Sequence, residues 1–246
     1  MDKTNLNSII IEGIATYTGG DYDKVKIAGT GKITGDLSCN LFHTSGISNI
    51  YGNLNSKQFN VSGTAKIEGD VTAGDMEVSG KVKCLKSMEV DHVKVNGMMT
   101  VLGSLKGNQI KSNGSLTIEN GMEAEDVDVS GLISCKGLLN CENLSIQLVG
   151  TSMIDEIGAS VITVKKTGID TEWVPKVLLP KKFQSFKLVS KEIEGDVISL
   201  ENCEVDVVRG NQVTIGPNCV IGQVEYTGQI TVDPTSHIGQ QIFKGE

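Results

Sequence analysis

The feature that most constrains the fold of this chain is a glycine that returns with a strict 17-residue period. Starting from Gly29, the step reaches six further glycines without a miss, at Gly46, Gly63, Gly80, Gly97, Gly114 and Gly131. A second column lies a little later in each repeat, at Gly35, Gly52, Gly69, Gly103 and Gly137. Repetition at a fixed period of this size is the signature of a repeat architecture, so we expect two fixed corners in every repeat.

Apolar residues keep equally strict columns between these corners. Shortly before the first glycine of each repeat, for example, the chain has Val25, Phe42, Phe59, Met76, Val93, Ile110, Val127 and Leu144. Each repeat contains three pairs of apolar residues that alternate with polar ones, which is the pattern of a strand with one buried face. Three short strands and three corners then make one coil of triangular outline.

A single coil cannot bury its own inner face, so it must stack on similar coils. The sequence therefore predicts an all-β fold, a single-stranded parallel β-helix or solenoid with triangular 17-residue coils. About ten or eleven coils, spaced about 4.8 Å apart, would account for the length. The corners are expected to be glycine because a sharp turn after a short strand commonly needs positive φ.

The repeat divides the chain into four parts. Residues 1–24 are expected to form an N-terminal cap or an imperfect first coil, with Ile10 and Ile14 pointing inward, and residues 25–164 the regular β-helix. Residues 165–185 are predicted to be a loop insertion, because they hold the one tryptophan and two of the four prolines, and proline is unsuited to an inner strand. Residues 186–246 are expected to return to β-helical coils.

Two interpretations of the insertion stay open. In the first, it is a loop that covers a side or an end of the solenoid. In the second, it contacts a membrane surface through Trp173, Leu178 and Leu179, whose apolar side chains are flanked by lysines.

Composition and charge narrow the classes of function. The chain has 22 basic and 30 acidic residues, a net charge of -8, and no dense basic stretch, so nucleic acid is not expected as a partner. We find neither the pattern of a signal peptide nor an apolar run long enough to span a membrane. A cytoplasmic location is therefore expected, with membrane association through the insertion as the one exception.

No catalytic, cofactor or metal site is predicted, and the chain is not expected to be an enzyme. The stretch GTGKITG, residues 29–35, lacks the leading glycine and the Ser or Thr of a phosphate loop. The four cysteines in inward columns, Cys39, Cys84, Cys135 and Cys141, are predicted to be buried small apolar side chains. The left-handed acyltransferase β-helices use a catalytic histidine. His92, beside Asp91, is the one candidate for that role here.

The two ends of a solenoid expose unpaired backbone and a cross-section of the apolar core. We see no amphipathic helix at either terminus that would cover them. The predicted polymer-end contacts are Ile9, Ile10 and Ile11 near the start and Ile242 and Phe243 near the finish. End-to-end stacking through these residues would join copies of the chain into a filament.

Three sequence motifs stand out in the chain: ITGDL (33–37), IEGDV (67–71 and 193–197) and VVRGNQVTIGPNCVIGQVEY (207–226). They resemble segments of the bactofilins, which are bacterial polymer-forming cytoskeletal proteins. The resemblance implies a right-handed β-helix, filaments formed without nucleotide, and a scaffold role in cell shape, motility or the positioning of envelope machinery. Further candidate partners are a related bactofilin and a peripheral membrane or envelope protein. A β-helical enzyme of the acyltransferase type and a monomeric binding scaffold remain as alternatives.

Overall fold

A computed structural model describes residues 6–167 and 186–245. Throughout these residues the protein is a β-solenoid with 21 parallel strands in about 13 turns, which confirms the predicted fold class. The number of turns exceeds the predicted ten or eleven. Two compact units are present, Met1–Asn120 and Gly121–Glu246.

The described residues of the first unit form 13 strands, each paired in parallel with the strand one coil away. They are β1 Ile9–Ile11, β2 Ile14–Ile27, β3 Thr30–Thr44, β4 Ile47–Ile50, β5 Leu54–Val61, β6 Thr64–Ile67, β7 Val71–Val78, β8 Lys81–Cys84, β9 Met88–Val95, β10 Met98–Val101, β11 Leu105–Lys106, β12 Gln109–Ser112 and β13 Ser115–Ile118.

The core of the first unit consists of the apolar columns that the sequence predicts. Phe42 lies over Phe59, Phe59 over Met76 and Met76 over Val93, each pair separated by one full repeat. All four side chains are at most 3% exposed, and the rings of Phe42 and Phe59 stack with their centroids 5.1 Å apart. Identical positions of successive coils thus bury one another, as a solenoid requires.

The first turn is one residue shorter than the repeat, and the prediction for its inward residues was wrong. Ile9 pairs with Val25 and Ile11 with Ile27, and both isoleucines are 2% exposed. Ile10 and Ile14, which the 17-residue step places inward, are 63% and 89% exposed. A slip of one residue moves every side chain of a strand to its opposite face.

The glycines of the first column are needed for a different reason from the predicted positive φ. A Cβ added to Gly46, Gly63, Gly80, Gly97 or Gly114 would lie 2.0–2.1 Å from the carbonyl oxygen of the glycine one coil earlier. The backbones of successive coils are therefore too close for a side chain. Among the described glycines, positive φ occurs in the second column, at Gly35 and Gly137, and at Gly20 and Gly121.

Polar side chains link the second corner of the first unit from coil to coil. The carboxylate of Asp36 accepts the backbone N–H of Asn53 at 2.7 Å, and the Asn53 amide oxygen accepts the N–H of Asp70 at 2.9 Å. Asp70 in turn accepts the N–H of Ser87, and the Ser87 hydroxyl accepts that of Ser104. In each link an earlier coil supplies the acceptor and the next coil the donor.

The described residues of the second unit form eight strands, and the pairings between them are parallel. They are β14 Met122–Glu123, β15 Asp126–Val129, β16 Leu132–Leu148, β17 Thr151–Lys166, β18 Lys187–Leu200, β19 Cys203–Ile215, β20 Val220–Val232 and β21 His237–Phe243.

Coil length varies in the second unit. Leu144 pairs with Ile162, which makes a coil one residue longer than the repeat. Ile193 pairs with Val208 and Val208 with Val224, which makes coils two residues and one residue shorter than the repeat. Strands β17 and β18 pair directly, so the solenoid continues on both sides of residues 168–185. The proposed membrane contacts Trp173, Leu178 and Leu179 lie outside the described residues.

Candidate assembly surfaces

The last turn of the second unit offers an open strand edge. Strand β21 pairs through His237–Phe243 with the first part of β20, while Gln229–Val232 of β20 pairs with β19 alone. Within the part of the chain that the structure describes, no strand lies on the other side of either segment. Their free N–H and C=O groups can accept a further parallel strand.

Inward side chains on this turn are half-buried, although their columns are fully buried one coil earlier. Ile230 continues the column of Val213, and Val232 continues that of Ile215; Ile238 lies over Ile221 in the same way. The three earlier residues are at most 2% exposed, whereas Ile230, Val232 and Ile238 are partly open. The end of the unit is therefore an apolar cross-section that lacks its next layer.

The two predicted contacts at this end lie on an outward corner. Ile242 is half-buried over Glu225, and Phe243 is 55% exposed over Tyr226. The Tyr226 and Phe243 rings are tilted, with centroids 5.4 Å apart. Both residues border the open edge of β21.

The first turn of the first unit offers the complementary edge. Residues Ile14–Tyr22 of β2 pair with β3 on one side, while β1 covers only Val25–Ile27 on the other. Among the residues described, no strand pairs with the free side of Ile14–Tyr22. Tyr17, which lies inward over Ile33, is consequently 40% exposed.

The three predicted contacts at this end have different positions. Ile9 and Ile11 point inward and are buried, whereas Ile10 is an outward side chain on β1. The inward residues that remain open, Ala15, Tyr17 and Tyr22, were missed by the sequence reasoning. The spacing along the chain could have identified two of them, because each precedes an inward residue of the next coil by about one repeat. Tyr22 precedes Cys39 by a full repeat, and Tyr17 precedes Ile33 by one residue less.

The open residues of the last turn were also missed, although the period points to them. Ile230, Val232 and Ile238 each follow a buried residue by one full repeat. The sequence reasoning chose the last apolar residues of the chain as end contacts, and did not follow the inward columns to their last members.

A groove of about 720 Å³ runs along one side of the second unit. Small residues form its floor where other coils carry side chains: Gly158, Ala159, Gly195 and Gly210. Arg209 crosses it and forms ion pairs with Glu192 and, at 3.2 Å, with Glu225. Three further carboxylates line the groove without an ion-pair partner in the described residues: Glu156, Glu194 and Asp196.

The candidate histidine contacts a different carboxylate from the predicted one. Nδ1 of His92 lies 3.3 Å from Oδ1 of Asp75, one coil earlier, and both side chains are more than half exposed. The pair therefore lies on an open face of the first unit rather than in a pocket that excludes water.

The cysteines in inward columns are buried, as predicted. Burial raises the pKa of Cys39, Cys84 and Cys135 to about 11 and that of Cys141 to about 12. These thiols remain protonated near neutral pH, where a protonated thiol is a poor nucleophile.

The described residues lack a metal-binding cluster and a membrane-spanning helix. Residues 6–167 and 186–245 contain no cluster of three or more His, Cys, Asp or Glu side chains arranged to hold a metal ion. They also contain no helix with the length and apolar character needed to cross a bilayer.

Comparison with known proteins gives two relatives from Bacillus subtilis (strain 168). The uncharacterized protein YhbF is 40% identical over 106 residues, which are 43% of this chain and 41% of that protein. The uncharacterized protein YhbE is 39% identical over 104 residues, 42% of this chain and 41% of its own length. The match thus spans about two fifths of either relative. No family model and no solved structure matches the chain.

Proposed function

We propose that this chain is a bactofilin-like structural protein that assembles end to end, without nucleotide, into cytoskeletal filaments or scaffolds. One observation carries the proposal: within the described residues, the first and last turns each present a strand edge without a pairing partner, beside partly open inward side chains. A second copy can supply the missing layer at each edge. The contact would repeat the backbone pairing and apolar stacking found inside each unit.

The coil-to-coil contacts also give such an assembly a direction. Every described pairing is parallel, and in the linked corner each acceptor lies one coil before its donor. The free edge at the start of the chain therefore differs from the free edge at its finish. A contact between unlike ends is heterologous, and heterologous contacts that do not close produce filaments.

The free energy of end-to-end association would come from several weak contacts rather than from one dominant contact. Completing the burial of a half-buried side chain such as Ile230 contributes about 1 kcal/mol. A backbone hydrogen bond adds about 0.5–1.5 kcal/mol net. The open segments of the last turn, Gln229–Val232 and His237–Phe243, offer several such bonds, so the sum can offset the entropy of association without nucleotide hydrolysis.

The proposed biological role follows from the resemblance to bactofilins. We place the chain in the cytoplasm as a non-enzymatic scaffold for cell shape, motility or the positioning of envelope machinery. Its main partner is a second copy of itself, and a related bactofilin or a peripheral membrane or envelope protein is a further proposed partner.

Negative-stain electron microscopy of the purified protein, with and without added nucleotide, tests the proposal. Filaments are expected in both samples. Ile230→Lys should abolish them, because the charge would lie within the stacked columns. Thr231→Lys, at the neighbouring exposed position, adds the same charge outside the columns and should leave filaments intact.

Two results would contradict end-to-end assembly. One is a protein that remains monomeric at every concentration, and the other is equal filament formation by Ile230→Lys and wild type. Filaments that require nucleotide would contradict the proposed mechanism.

The groove of the second unit favours a second candidate, a monomeric binding scaffold. Glu156, Glu194 and Asp196, which have no ion-pair partner among the described residues, suit an extended ligand with positive charges. A labelled oligolysine peptide should then bind in a fluorescence anisotropy titration, and Glu194→Lys with Asp196→Lys should abolish binding. Peptide binding by a chain that never assembles would favour this candidate over the filament.

A further inference from the structure

The outward side of three strands in the first unit carries lysines and an exposed isoleucine. Parallel pairing of β4, β6 and β8 aligns their outward side chains in two columns of three. We call this surface the lysine face, and its residues are Ile47, Asn49, Thr64, Lys66, Lys81 and Lys83. Lys66 pairs with Glu68 at 2.8 Å, but Lys81 and Lys83 form no ion pair within the described part of the chain.

The second unit carries a surface with the opposite charge. The segment from Gly121 to Cys135 includes four acidic side chains and no Lys, Arg or His. Strands β15, β16 and β17 align their outward side chains in two columns of three. This acidic strip consists of Asp126, Asp128, Asn143, Ser145, Val161 and Thr163. Asp126 accepts a hydrogen bond from Asn143, and neither aspartate has an ion-pair partner among the described residues.

From this complementarity we infer that the lysine face of one copy packs sideways against the acidic strip of a second copy. Lys81 and Lys83 flank the buried Val82, and Asp126 and Asp128 flank the buried Val127. In both strands the charged side chains are two residues apart, which is about 6.6 Å along a parallel strand. Two ion pairs can therefore form side by side without distortion of either strand.

The order of the remaining residues fixes the orientation of the two copies. The lysines lie on the last of their three strands and the aspartates on the first of theirs, so antiparallel solenoid axes align the surfaces. In that orientation the facing strands run in the same direction, because turning a copy about its strand direction reverses its axis and not its strands. Lys81 then faces Asp126, and Lys83 faces Asp128.

The other two rows also match in this orientation. Thr64 and Lys66 face Asn143 and Ser145, which can form hydrogen bonds with them. Ile47, which is 50% exposed, faces Val161, which is 40% exposed. Both surfaces repeat at the same coil spacing of about 4.8 Å, so all three rows meet at once. With the axes parallel, the charged rows would meet while the apolar pair separates.

The contact is weak by itself. An exposed ion pair contributes about 0.2–1 kcal/mol, and two of them with one apolar contact cannot hold a dimer at micromolar concentration. Its strength rests on the proposed end-to-end assembly, because copies in one filament present the contact repeatedly to a neighbouring filament. The surfaces on a copy differ, so the contact is heterologous and leaves one surface of each copy open to another neighbour.

Charge reversal on each surface tests the inference with the full-length protein. Lateral association into pairs or larger groups of filaments is expected at about 20 mM salt and single filaments at about 1 M, where screening acts over about 3 Å. K81E/K83E and D126K/D128K should each remove lateral pairing and leave single filaments. An equimolar mixture should restore pairing, since the reversed charges of one variant face those of the other. K26E/K57E, which changes the net charge equally at exposed positions away from both surfaces, should pair like wild type.

A zero-length carbodiimide cross-linker supplies a residue-level readout, because it joins an amine to a carboxylate in contact. Mixed heavy and light isotope-labelled protein should give mass-spectrometric cross-links between Lys81 or Lys83 of one copy and Asp126 or Asp128 of another. Pairing of either reversed variant at the wild-type level overturns the inference. Phosphatidylglycerol vesicles that bind wild type but not K81E/K83E, with lateral pairing unchanged in that variant, overturn it in favour of a lipid surface.

The result separates the inference from the proposed function. Filaments that stay single at low salt overturn the lateral contact and leave end-to-end assembly intact. Particles that cross-link through the two surfaces but never elongate support the lateral contact and overturn the filament.

Discussion

Replacing Gly80 by alanine should destabilise the protein strongly, although alanine is usually harmless in place of a glycine with negative φ. The added Cβ would lie 2.0 Å from the carbonyl oxygen of Gly63 and 2.4 Å from that of Ser62. Real Cβ atoms essentially never approach another atom closer than 3.0 Å. The two coils must therefore move apart at this corner until the 2.0 Å contact has widened to at least 3.0 Å.

That separation disrupts the hydrogen bonds at the corner. The N–H of Gly80 donates to Val61 O at 3.0 Å, and the N–H of Lys81 donates to Gly63 O at 2.8 Å. Each lost bond costs about 1 kcal/mol, and overpacking in a rigid setting costs about 1–3 kcal/mol. Alanine also lowers the conformational entropy of the unfolded chain, which stabilises the folded protein by about 0.4–1 kcal/mol. The expected net loss is about 2–4 kcal/mol.

Gly13 provides a matched control for this substitution. It stands at the equivalent corner of the first turn, and an added Cβ there has no atom within 4 Å. Gly13→Ala should leave the free energy of unfolding unchanged or raise it by up to about 1 kcal/mol.

Urea unfolding followed by far-UV circular dichroism measures both variants. With an m-value of about 2 kcal/mol/M, Gly80→Ala should lower the midpoint by about 1–2 M. The reasoning from coil spacing is refuted if Gly80→Ala unfolds at the wild-type midpoint, or if Gly13→Ala loses as much stability.

Three further predictions concern the core, the thiols and acid stability. Phe42→Ala should cost about 3–5 kcal/mol in urea unfolding, because the ring is fully buried against Phe59. Burial raises the pKa of Cys84 to about 11, so iodoacetamide at pH 8 should alkylate it, by mass spectrometry, about a hundredfold more slowly in native than in unfolded protein. The backbone N–H of Gly137 lowers the pKa of Asp155. Its stabilisation is therefore present above the unfolded pKa of about 4 and lost as the pH falls through the folded value, so in urea titrations Asp155→Asn should be less stable at pH 6 and match wild type in strong acid.

The fold was predictable from the sequence because its stabilising contacts lie at a fixed distance along the chain. The column Phe42, Phe59, Met76 and Val93 was readable in the sequence and is present in the structure. Local propensity contributed little, since no single coil can fold alone. The period, rather than any individual residue, specifies the architecture.

The predictions that were wrong concern the length of individual coils and the spacing between backbones, which a repeat period in the sequence does not give. Ile10 and Ile14 were placed inward because the first turn was assumed to keep the full repeat, whereas it is one residue shorter. The role of Gly80 was misjudged because alternation in sequence says nothing about how closely two backbones approach. The groove beside Arg209 arises where coils shorter than the repeat succeed longer ones, and no repeat in the sequence marks that position.

Assembly through the two ends stays a prediction, and the sequence reasoning named only some of the residues that lie there. The apolar ends follow from the architecture, but Ile242 lies on an outward corner while Ile238 continues an inward column. Residues 168–185 lie outside the described part of the chain, so the proposed membrane contact through Trp173 stays a prediction.

The constant step in the first unit has a consequence for how genes of this kind can change in length. Because Gly63 and Gly80 occupy equivalent positions, excision of residues 64–80 would join two equivalent corners and preserve every inward side chain downstream. Loss of a single residue would instead move the inward side chains of a whole strand to its outer face. Natural variation in this part of the molecule should therefore occur in multiples of one complete coil, with smaller insertions confined to the corners.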